Sequence, residues 1–507
     1  MPPAAVATRI EKDTMGEMTV PADALYGAST QRAVENFPIS GRPMPFPIIS
    51  AYASIKSAAA AVNLKLGRLD KARATAIQKA CKVIASGMPE HGGWQRHFPI
   101  DVFQTGSGTS TNMNVNEVIA NLVCLAKNKP IGSSKDPAYL KAGGVHPNDH
   151  VNMGQSSNDT FPTAIHVAAA AAICRDLLPA LNKVAVQLEK QAKAWDKVVK
   201  IGRTHLQDAT PIRLGQEFSG FAAQIRHGER RAKQALGALC ELPIGGTAVG
   251  TGINAHEEFG KLVAEELTQH YESDEGVREK GAGGQRYSGP AFREASNHFE
   301  AQHAKDAVVE TAAMLKTIAV SLSKICGDIR LMGCGPRCGI GELKIPAVQP
   351  GSSIMPGKVN PVILEAVIMV CCQVIGNDAA ITTAGLGGVG GILDLHVAMP
   401  VMAERLLESI ELLSRSCHVL TDKCLVGLEA DTERCAALIE GSLAMCTSLV
   451  PAIGYDRSAA LAKQAFKEGK TVRQLALEQK ILPEKQLNEL LNPWNMTLPG
   501  GEGSAGG

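Results

Sequence analysis

The sequence predicts a mainly α-helical fold built around one elongated bundle of helices. Aromatic residues make up only 4% of the 507 residues and alanine is abundant, which is typical of helices that pack closely through small side chains. Long apolar runs with helical spacing recur along the chain, separated by stretches rich in glycine and proline. An apolar content of 45% favours a globular protein with a large core.

The clearest predicted helix covers about residues 300–330. Seven apolar residues follow one another at alternating steps of four and three, which places them on one stripe of a helix: Val308, Ala312, Leu315, Ala319, Leu322, Cys326 and Ile329. Similar runs occupy about 164–198, 215–241, 361–385 and 398–427. These five helices are expected to form the bundle. Pro179 should kink the first of the four runs or lie in a local break.

We predict three domains from these runs. Residues 1–145 are predicted to contain short helices separated by glycine and proline residues. Residues 146–400 contain the central bundle, and 401–507 form a smaller helical domain. The last residues, PGGEGSAGG, carry no apolar side chain and are expected to be disordered. The run GLGGVGG, which begins at Gly385, lacks the strand and the GK[ST] ending of a phosphate-binding loop, so it is predicted to be a turn between helices.

The charge balance argues against a polyanionic partner. Lys and Arg total 51, and Asp and Glu total 50, so no net field favours nucleic acid or an anionic membrane surface. The start, MPPAAVATRIEKD, does not resemble a secretory leader, and no run of about 18 uncharged apolar residues suggests a membrane span. We therefore expect a cytoplasmic protein whose partners are small molecules or copies of itself.

The 13 cysteines are scattered and odd in number, which fits reduced thiols better than a disulfide framework. Cys334 and Cys338 lie in GCGPRCG, with the wrong spacing for a zinc knuckle and no second pair nearby. No metal site or other cofactor is predicted.

Four polar, glycine-bearing stretches interrupt the helical pattern: QTGSGTSTNMNVNE at 104–117, HPNDHVNMGQSSNDT at 146–160, GRTHLQDATP at 202–211 and PGSSIMPGKVNP at 350–361. Each is rich in Ser, Thr, Asn or Gln and carries few positive charges. Loops of this composition at helix ends can surround a small anion with backbone N–H groups and neutral donors. One such stretch alone would be explained by helix caps and turns, but four suggest a common site.

The motifs GSSIMPGKVNP, GRTHLQDATP, HPND with SSNDT, and GSGT with NMNVNEV resemble the class II, iron-independent fumarases of the fumarase/aspartase superfamily. The similarity continues through EKDTMGEMTVPADALYGASTQRAVENFPIS and ELPIGGTAVGTGIN and covers nearly the whole chain. Aspartate ammonia-lyases are also similar but typically have Gln where this chain has His205. The resemblance implies a three-domain fold whose central five-helix bundle assembles into a homotetramer, with each active site shared by three subunits.

The resemblance also implies a metal-independent enzyme of the tricarboxylic acid cycle that adds water reversibly to fumarate in the anti sense, giving L-malate. Ser352 would act as the base at C3, and His205, oriented by Glu365, would handle the water. Lys358 would supply the cation for the dianionic aci-carboxylate intermediate. The base requires a lowered pKa, for which backbone N–H groups and Lys358 are the expected cause.

The implied substrate-binding residues lie in all four stretches: Ser107, Gly108, Thr109, Ser156, Ser157, Asn158, Thr204, Ser353, Lys358, Val359 and Asn360. In the family the HPND turn, here His146, Pro147, Asn148 and Asp149, forms a secondary dicarboxylate site. From the residues alone, His146, Asn148 and Asp149 could equally cap the helix that follows, and Pro147 could simply belong to a turn.

Two segments depart from the family pattern. Residues 392–396 read Ile-Leu-Asp-Leu-His where Asn-Phe-Glu-Leu-Asn is usual, and 326–328 read Cys-Gly-Asp where Ala-Asn-Asp is usual. Neither touches the residues assigned to proton transfer, so we expect an altered rate or affinity and a retained reaction. Two alternatives remain open: an ammonia-lyase acting on aspartate or a related succinyl amine, and an inactive structural tetramer.

Overall fold

The computed structural model describes residues 7–273 and 287–499, so most of the PGGEGSAGG tail lies outside the described residues. The prediction of a mainly α fold is confirmed, since helices account for most of these residues. The helices are α1 (Ala28–Asn36), α2 (Phe46–Lys65), α3 (Lys71–Ala85), α4 (Thr109–Ala126), α5 (Pro137–Lys141), α6 (Ser157–Ala172), α7 (Leu178–Ala194), α8 (Leu214–Leu239), α9 (Phe259–Ser273), α10 (His298–His303), α11 (Asp306–Met332), α12 (Val362–Ala384), α13 (Met399–Lys423), α14 (Thr432–Gly441), α15 (Val450–Ile453), α16 (Tyr455–Glu468), α17 (Val472–Glu478) and α18 (Glu484–Leu490).

Short strands pair in twos between the helices. They are β1 (Thr8–Asp13), β2 (Gly16–Pro21), β3 (Val199–Thr204), β4 (Gln207–Arg213), β5 (Glu241–Leu242), β6 (Arg293–Glu294), β7 (Leu343–Lys344), β8 (Gly391–Ile392), β9 (Leu395–His396) and β10 (Glu429–Ala430). The pairs β1–β2, β3–β4, β7–β10 and β8–β9 are antiparallel, whereas β5–β6 is parallel. GLGGVGG forms the turn between α12 and α13, as predicted, with the small β8–β9 hairpin added.

The long predicted helices are present with nearly the expected bounds. The stripe from Val308 to Ile329 lies on α11, and all seven of its residues are buried. The first predicted run is divided into α6 and α7 by a π-type turn at Ile173–Leu177. Pro179 follows this turn at the second position of α7, where its missing N–H costs little. The local break expected at this proline is therefore present.

The chain separates into two compact units, each made of several segments. Unit 1 comprises Met1–Ala180, Gly228–Ala319 and Val370–Ser414, and unit 2 comprises Leu181–His227, Val320–Met369 and Arg415–Gly507. The helices α7, α8, α11, α12 and α13 each contribute residues to both units. The division into three domains at residues 145 and 400 stays a prediction.

Unit 1 contains longer helices near its start than the sequence pattern suggested. Helix α2 has 20 residues and α4 has 18, whereas only short helices were expected before residue 145. Most of α2 is buried, so its sequence is apolar all round and lacks the one-sided period that marks a surface helix. Helical periodicity alone therefore underestimates this region.

Unit 2 contains the β3–β4 hairpin and the C-terminal helices α14 to α18. The apolar core of the C-terminal segment includes Leu449, Leu461, Leu475 and Leu487, and its helices agree with the helical content predicted for the end of the chain. The hairpin was not predicted, because the turn residues His205 and Leu206 are not the Asn-Gly or Asp-Gly pair that normally signals a tight hairpin.

Two helical stretches are long and apolar enough to cross a membrane by length and composition. Ser157–Ala194 has a mean hydropathy of 1.5 in its most apolar window, and 83% of that window is buried within the protein. Val362–Ala384 has a value of 1.7, and only 33% of its window is buried. The first stretch is thus accounted for by internal packing, whereas α12 exposes apolar surface on the single chain, including Met369 and Ile375.

Candidate active site

In unit 1, the stretches 104–117 and 146–160 meet through a chain of hydroxyl groups. Ser107 Oγ lies 2.9 Å from Thr109 Oγ1, which lies 2.8 Å from Ser157 Oγ. Ser157 donates to Asn158 Oδ1 at 3.4 Å, and Asn158 Nδ2 donates to the Ala248 carbonyl at 2.8 Å. Four of the predicted substrate-binding side chains are therefore brought together at the starts of α4 and α6, where backbone N–H groups favour an anion.

Gly108 is required where α4 begins. Its φ is +73°, a left-handed conformation that side chains other than glycine rarely adopt. A Cβ atom at this position would lie 1.9 Å from Cδ2 of Phe161, a buried residue of α6. The glycine thus allows the loop of Ser107 and Thr109 to approach the helix that carries Ser157 and Asn158.

The start of α6 is fixed by Ser156 and Asp159. Ser156 Oγ accepts from the Asn158 N–H, and Asp159 accepts from the Ser156 N–H at 2.9 Å, which together form a capping box. The other oxygen of the Asp159 carboxylate accepts from the N–H groups of Gly245 and Thr247. Complete burial raises the pKa of Asp159 to about 6. Ser156 therefore acts as a helix cap in this structure, although it was predicted to bind substrate.

The HPND turn also has a capping geometry. His146 Nδ1 accepts from the N–H groups of Asn148 and Asp149 at 3.2 and 3.1 Å, ahead of a π-type turn at Pro147–Val151. Burial lowers the pKa of His146, which favours the neutral imidazole that can accept these bonds. The side chains of Asn148 and Asp149 are exposed while Pro147 is buried. Capping is observed, and a secondary dicarboxylate site stays a prediction.

In unit 2, residues 350–361 form a loop closed at its base. Gly351 N–H donates to the Lys358 carbonyl at 2.9 Å, and Asn360 Nδ2 donates to the Gly351 carbonyl at 2.7 Å. The loop lines a cavity of about 420 Å³ together with residues 347–349. Ser353, Lys358 and Val359 are exposed, and Ser352 is half-buried. The loop thus places the predicted base and cation beside one open cavity.

The Ser352 hydroxyl receives backbone donors. Its Oγ accepts from the N–H groups of Ile354 and Met355 at 3.3 and 3.1 Å. Donors aimed at an oxygen favour its anionic form. The two N–H groups could stabilise negative charge on this oxygen, which is what the predicted base requires.

Thr204 and His205 lie at the tip of the β3–β4 hairpin. Thr204 pairs with Gln207, and both His205 and Leu206 have left-handed backbones, with φ of 57° and 60°. The tip is exposed, and within the described chain His205 makes no hydrogen bond to Glu365 or to the 350–361 loop. Glu365 is half-buried in the first turn of α12. Among the described residues, the predicted pair His205 and Glu365 is therefore not joined by a hydrogen bond or an ion pair.

A buried group of charges supports the hairpin and was missed at the sequence level. Glu342 is fully buried and accepts from Arg203 Nη1 with both oxygens at 3.0 Å. Lys200, also buried, lies 3.3 Å from Glu342 and 3.2 Å from Glu217. Glu342 adjoins β7, eight residues before the 350–361 loop begins. Because the charge partners are far apart in sequence, no local motif identified them.

Within residues 7–273 and 287–499, no group of three or more His, Cys, Asp and Glu side chains is arranged to hold a metal ion. In unit 1 the candidate residues carry hydroxyl and amide groups, and in unit 2 the 350–361 loop carries hydroxyl, amide and backbone N–H groups together with Lys358. This donor set is suited to binding and polarising a carboxylate.

Comparison with known proteins identifies the family. Residues 16–376 match the lyase family, and residues 445–498 match the fumarase C C-terminal family. The class II fumarate hydratase of Neisseria meningitidis is 46% identical over 97% of this chain and 99% of its own length. That of Corynebacterium efficiens is 50% identical over 95% of this chain and 93% of its own.

A solved structure has the same fold as this chain. The crystal structure of recombinant class II fumarase from Schistosoma mansoni superimposes with a TM-score of 0.90 at 38% identity, covering 98% of this chain and all of that one. This confirms the fumarase/aspartase-like fold. The matches span both units, from β2 to the last helices. The chain belongs to the class II fumarate hydratases of the lyase family.

Proposed function

We propose that the protein catalyses the reversible hydration of fumarate to L-malate. The observation that carries this proposal is the pair of backbone N–H groups aimed at Ser352 Oγ, on the loop that also holds Lys358. A base of this kind removes the C3 proton of malate, and a cation on the same loop stabilises the charge that develops on the neighbouring carboxylate.

The roles of the remaining residues follow from what each side chain can donate. Ser107, Thr109, Ser157 and Asn158 form a hydroxyl and amide surface that can bind a carboxylate, and Gly108 permits their approach. Thr204, Ser353, Val359 and Asn360 add contacts from unit 2. His205, oriented by Glu365, activates the water in one direction and protonates the leaving hydroxyl in the other. No step of this scheme calls for a metal ion.

We further propose that the active protein is a homotetramer whose sites are completed by more than one chain. The exposed apolar surface of α12 supports association, since an exposed helix of mean hydropathy 1.7 is unusual on a monomer. Among the described residues of one chain, His205 and Glu365 form no hydrogen bond or ion pair, which supports a site shared between copies. Sedimentation tests this proposal, and an active monomer at assay concentration would contradict it. We place the protein in the cytoplasm, which cell fractionation tests.

The activity is tested by the ultraviolet absorbance of the fumarate double bond. Purified protein is given L-malate or L-aspartate in parallel, with and without a chelator. A chelator-resistant signal from malate alone is the expected result. A signal from aspartate would assign an ammonia-lyase instead, and a signal abolished by the chelator would contradict the metal-independent scheme.

A further inference from the structure

Helix α2 carries a lysine in the middle of an otherwise apolar and small-residue surface. Lys56 is completely buried. Its Nζ donates to Asn112 Oδ1 at 2.8 Å and to Asn152 Oδ1 at 2.9 Å, and it lies 5.8 Å from the centre of the Tyr52 ring. Among the described residues, Lys56 forms no ion pair with a carboxylate. A buried ammonium held only by neutral acceptors is costly, so its position calls for a physical explanation.

The two acceptors belong to the two polar stretches of unit 1. Asn112 lies one turn after Thr109 on α4, and Asn152 lies shortly before Ser157 at the start of α6. Asn112 Nδ2 also donates to Asn152 Oδ1, at 3.1 Å, and Asn116 Nδ2 approaches the same oxygen at 3.3 Å. Lys56 therefore joins the segments whose ends carry the hydroxyl chain from Ser107 to Asn158.

The charge of this lysine is only weakly compensated within unit 1. Burial lowers its pKa to about 7, and the carboxylate of Asp159 favours its charged form. The Asp159 carboxylate already accepts hydrogen bonds from three backbone N–H groups. The hydroxyl chain from Ser107 to Asn158 carries no charge. A bound carboxylate would supply the missing negative charge in this low-dielectric region, where charges interact strongly.

We propose that Lys56 is a positioning residue for the hydration reaction, which fixes the starts of α4 and α6 through Asn112 and Asn152 and adds positive charge to the region of the proposed carboxylate-binding hydroxyls. This inference rests on the proposed function, because it assigns Lys56 to the same dicarboxylate site. Lys56 does not touch the substrate; it acts through the two asparagines.

The test compares Lys56→Met with Lys305→Met. Lys305 is a matched control, since it is also buried in unit 1, is also without a carboxylate partner among the described residues, and donates only to backbone carbonyls such as those of Ala301 and Gln302. Burial lowers its pKa to about 7 as well. Steady-state rates with fumarate and with L-malate are measured, together with succinate binding by calorimetry and thermal melting.

For Lys56→Met, we expect KM for both substrates and Kd for succinate to rise about tenfold or more, with kcat changed much less, because the asparagines that Lys56 holds position hydroxyls that bind a carboxylate ionised in both substrates and in succinate. For Lys305→Met, we expect a lower melting temperature with unchanged KM and Kd. Equal changes in the two variants, or a Lys56→Met protein with the KM and Kd of the parent, would overturn the inference.

Asn152→Ala serves as the second variant if the lysine substitution prevents folding. This variant retains the Lys56 ammonium but removes the Asn152 oxygen that accepts from Lys56 and Asn112, so KM and Kd should also rise. Unchanged values would overturn the inference. If the parent protein neither hydrates fumarate nor dehydrates malate, the proposed function fails, while succinate binding still tests Lys56 separately.

Discussion

In unit 1 the proposed substrate-binding residues are largely buried and hydrogen-bond to one another, whereas in unit 2 the proposed base and cation lie on an open loop. The hydroxyls of Ser107 and Ser157 each hydrogen-bond to that of Thr109. Ser353 and Lys358 are exposed, and the loop is closed only at its base, through Gly351 and Asn360. We therefore expect unit 1 to supply binding contacts from a hydrogen-bonded surface, and unit 2 to supply reactive groups whose removal leaves the core intact.

The two units also differ in how they hold buried charge. In unit 2, Lys200 and Arg203 are paired with Glu342. Unit 1 also has buried carboxylates in ion pairs, such as Glu11 with Arg9 and Asp378 with Lys316, but its buried Lys56, Lys305 and Asp159 form no ion pair among the described residues. Removing one partner of a buried ion pair strongly destabilises the fold, because the other charge is left buried and unpaired. A buried titratable group without an ion-pair partner instead makes the free energy of unfolding depend on pH. The following predictions test this contrast.

The largest expected effect comes from Ser352→Ala. Loss of the base should lower kcat by about a thousandfold, while the melting temperature stays close to that of the parent because Ser352 lies on an open loop. The fumarate absorbance assay and thermal melting measure the two quantities. Ser442→Ala is the control, since Ser442 Oγ accepts a similar local bond from Ala444 N–H in unit 2; it should retain kcat. Near-parental activity of Ser352→Ala would rule out the serine base.

Glu342→Gln should cause the largest loss of stability. It leaves Lys200 and Arg203 without their shared buried carboxylate, which we expect to cost about 3 kcal/mol in the free energy of unfolding. Urea denaturation at pH 7 measures this loss. The control is Glu217→Gln, because Glu217 contacts Lys200 but is partly exposed. If both variants lose the same stability, the buried network is not what distinguishes unit 2.

His396→Asn should reduce the acid sensitivity of unit 1. Burial lowers the pKa of His396 to about 4, so the unfolded chain binds the proton first as the pH falls below about 6.5. The stability contributed by neutral His396 is present above pH 6.5 and is lost as the pH falls towards 4, which amounts to about 2 kcal/mol between pH 7 and pH 5.

Urea denaturation at pH 7 and at pH 5 measures this effect. The Asn variant should show a smaller loss of stability between the two pH values than the parent. His166→Gln should behave in the same direction, because burial also lowers the pKa of His166 to about 4. An unchanged pH dependence in the His396 variant would contradict the assignment.

The smallest expected effect is a difference in unfolding free energy between two serine variants, one in each unit. Ser157→Ala removes one member of the hydroxyl chain of unit 1 and should cost about 1 kcal/mol in unfolding free energy. Ser353→Ala, on the open loop of unit 2, should cost none, although both variants should raise KM. Urea denaturation and steady-state kinetics give both quantities. A stability loss in Ser353→Ala equal to that in Ser157→Ala would mean that the two regions are not held differently.

Much of this contrast could be predicted from the sequence, but not its supporting contacts. The stripe from Val308 to Ile329 gave the helix α11 because its period is local. The four polar stretches identified the candidate residues because the relevant side chains lie close together in sequence within each stretch. The β3–β4 hairpin was missed because His205 and Leu206 adopt left-handed backbone conformations that are uncommon for histidine and leucine.

The residues behind the site were missed for a different reason. Glu342 and Arg203 are 139 positions apart, and Lys56 and Asn152 are 96 apart, so no spacing rule relates them. Lys56 could still have been recognised from the sequence, because it is the one charged residue in the segment IISAYASIKSAAAAV. A single buried charge in a helix that is apolar all round requires polar partners, and this reasoning can be applied to other sequences.

The division of the chain into interleaved segments has a consequence for biosynthesis. Unit 1 requires residues as far as Ser414, and unit 2 requires segments that begin at Leu181. Neither unit can be completed on the ribosome until most of the chain has been translated, and a nascent chain that ends in α11 holds apolar helices whose partners do not yet exist. Such chains expose hydrophobic surface for longer than chains of sequential domains. We expect their yield to depend on chaperones, and neither unit to be obtainable as one uninterrupted fragment.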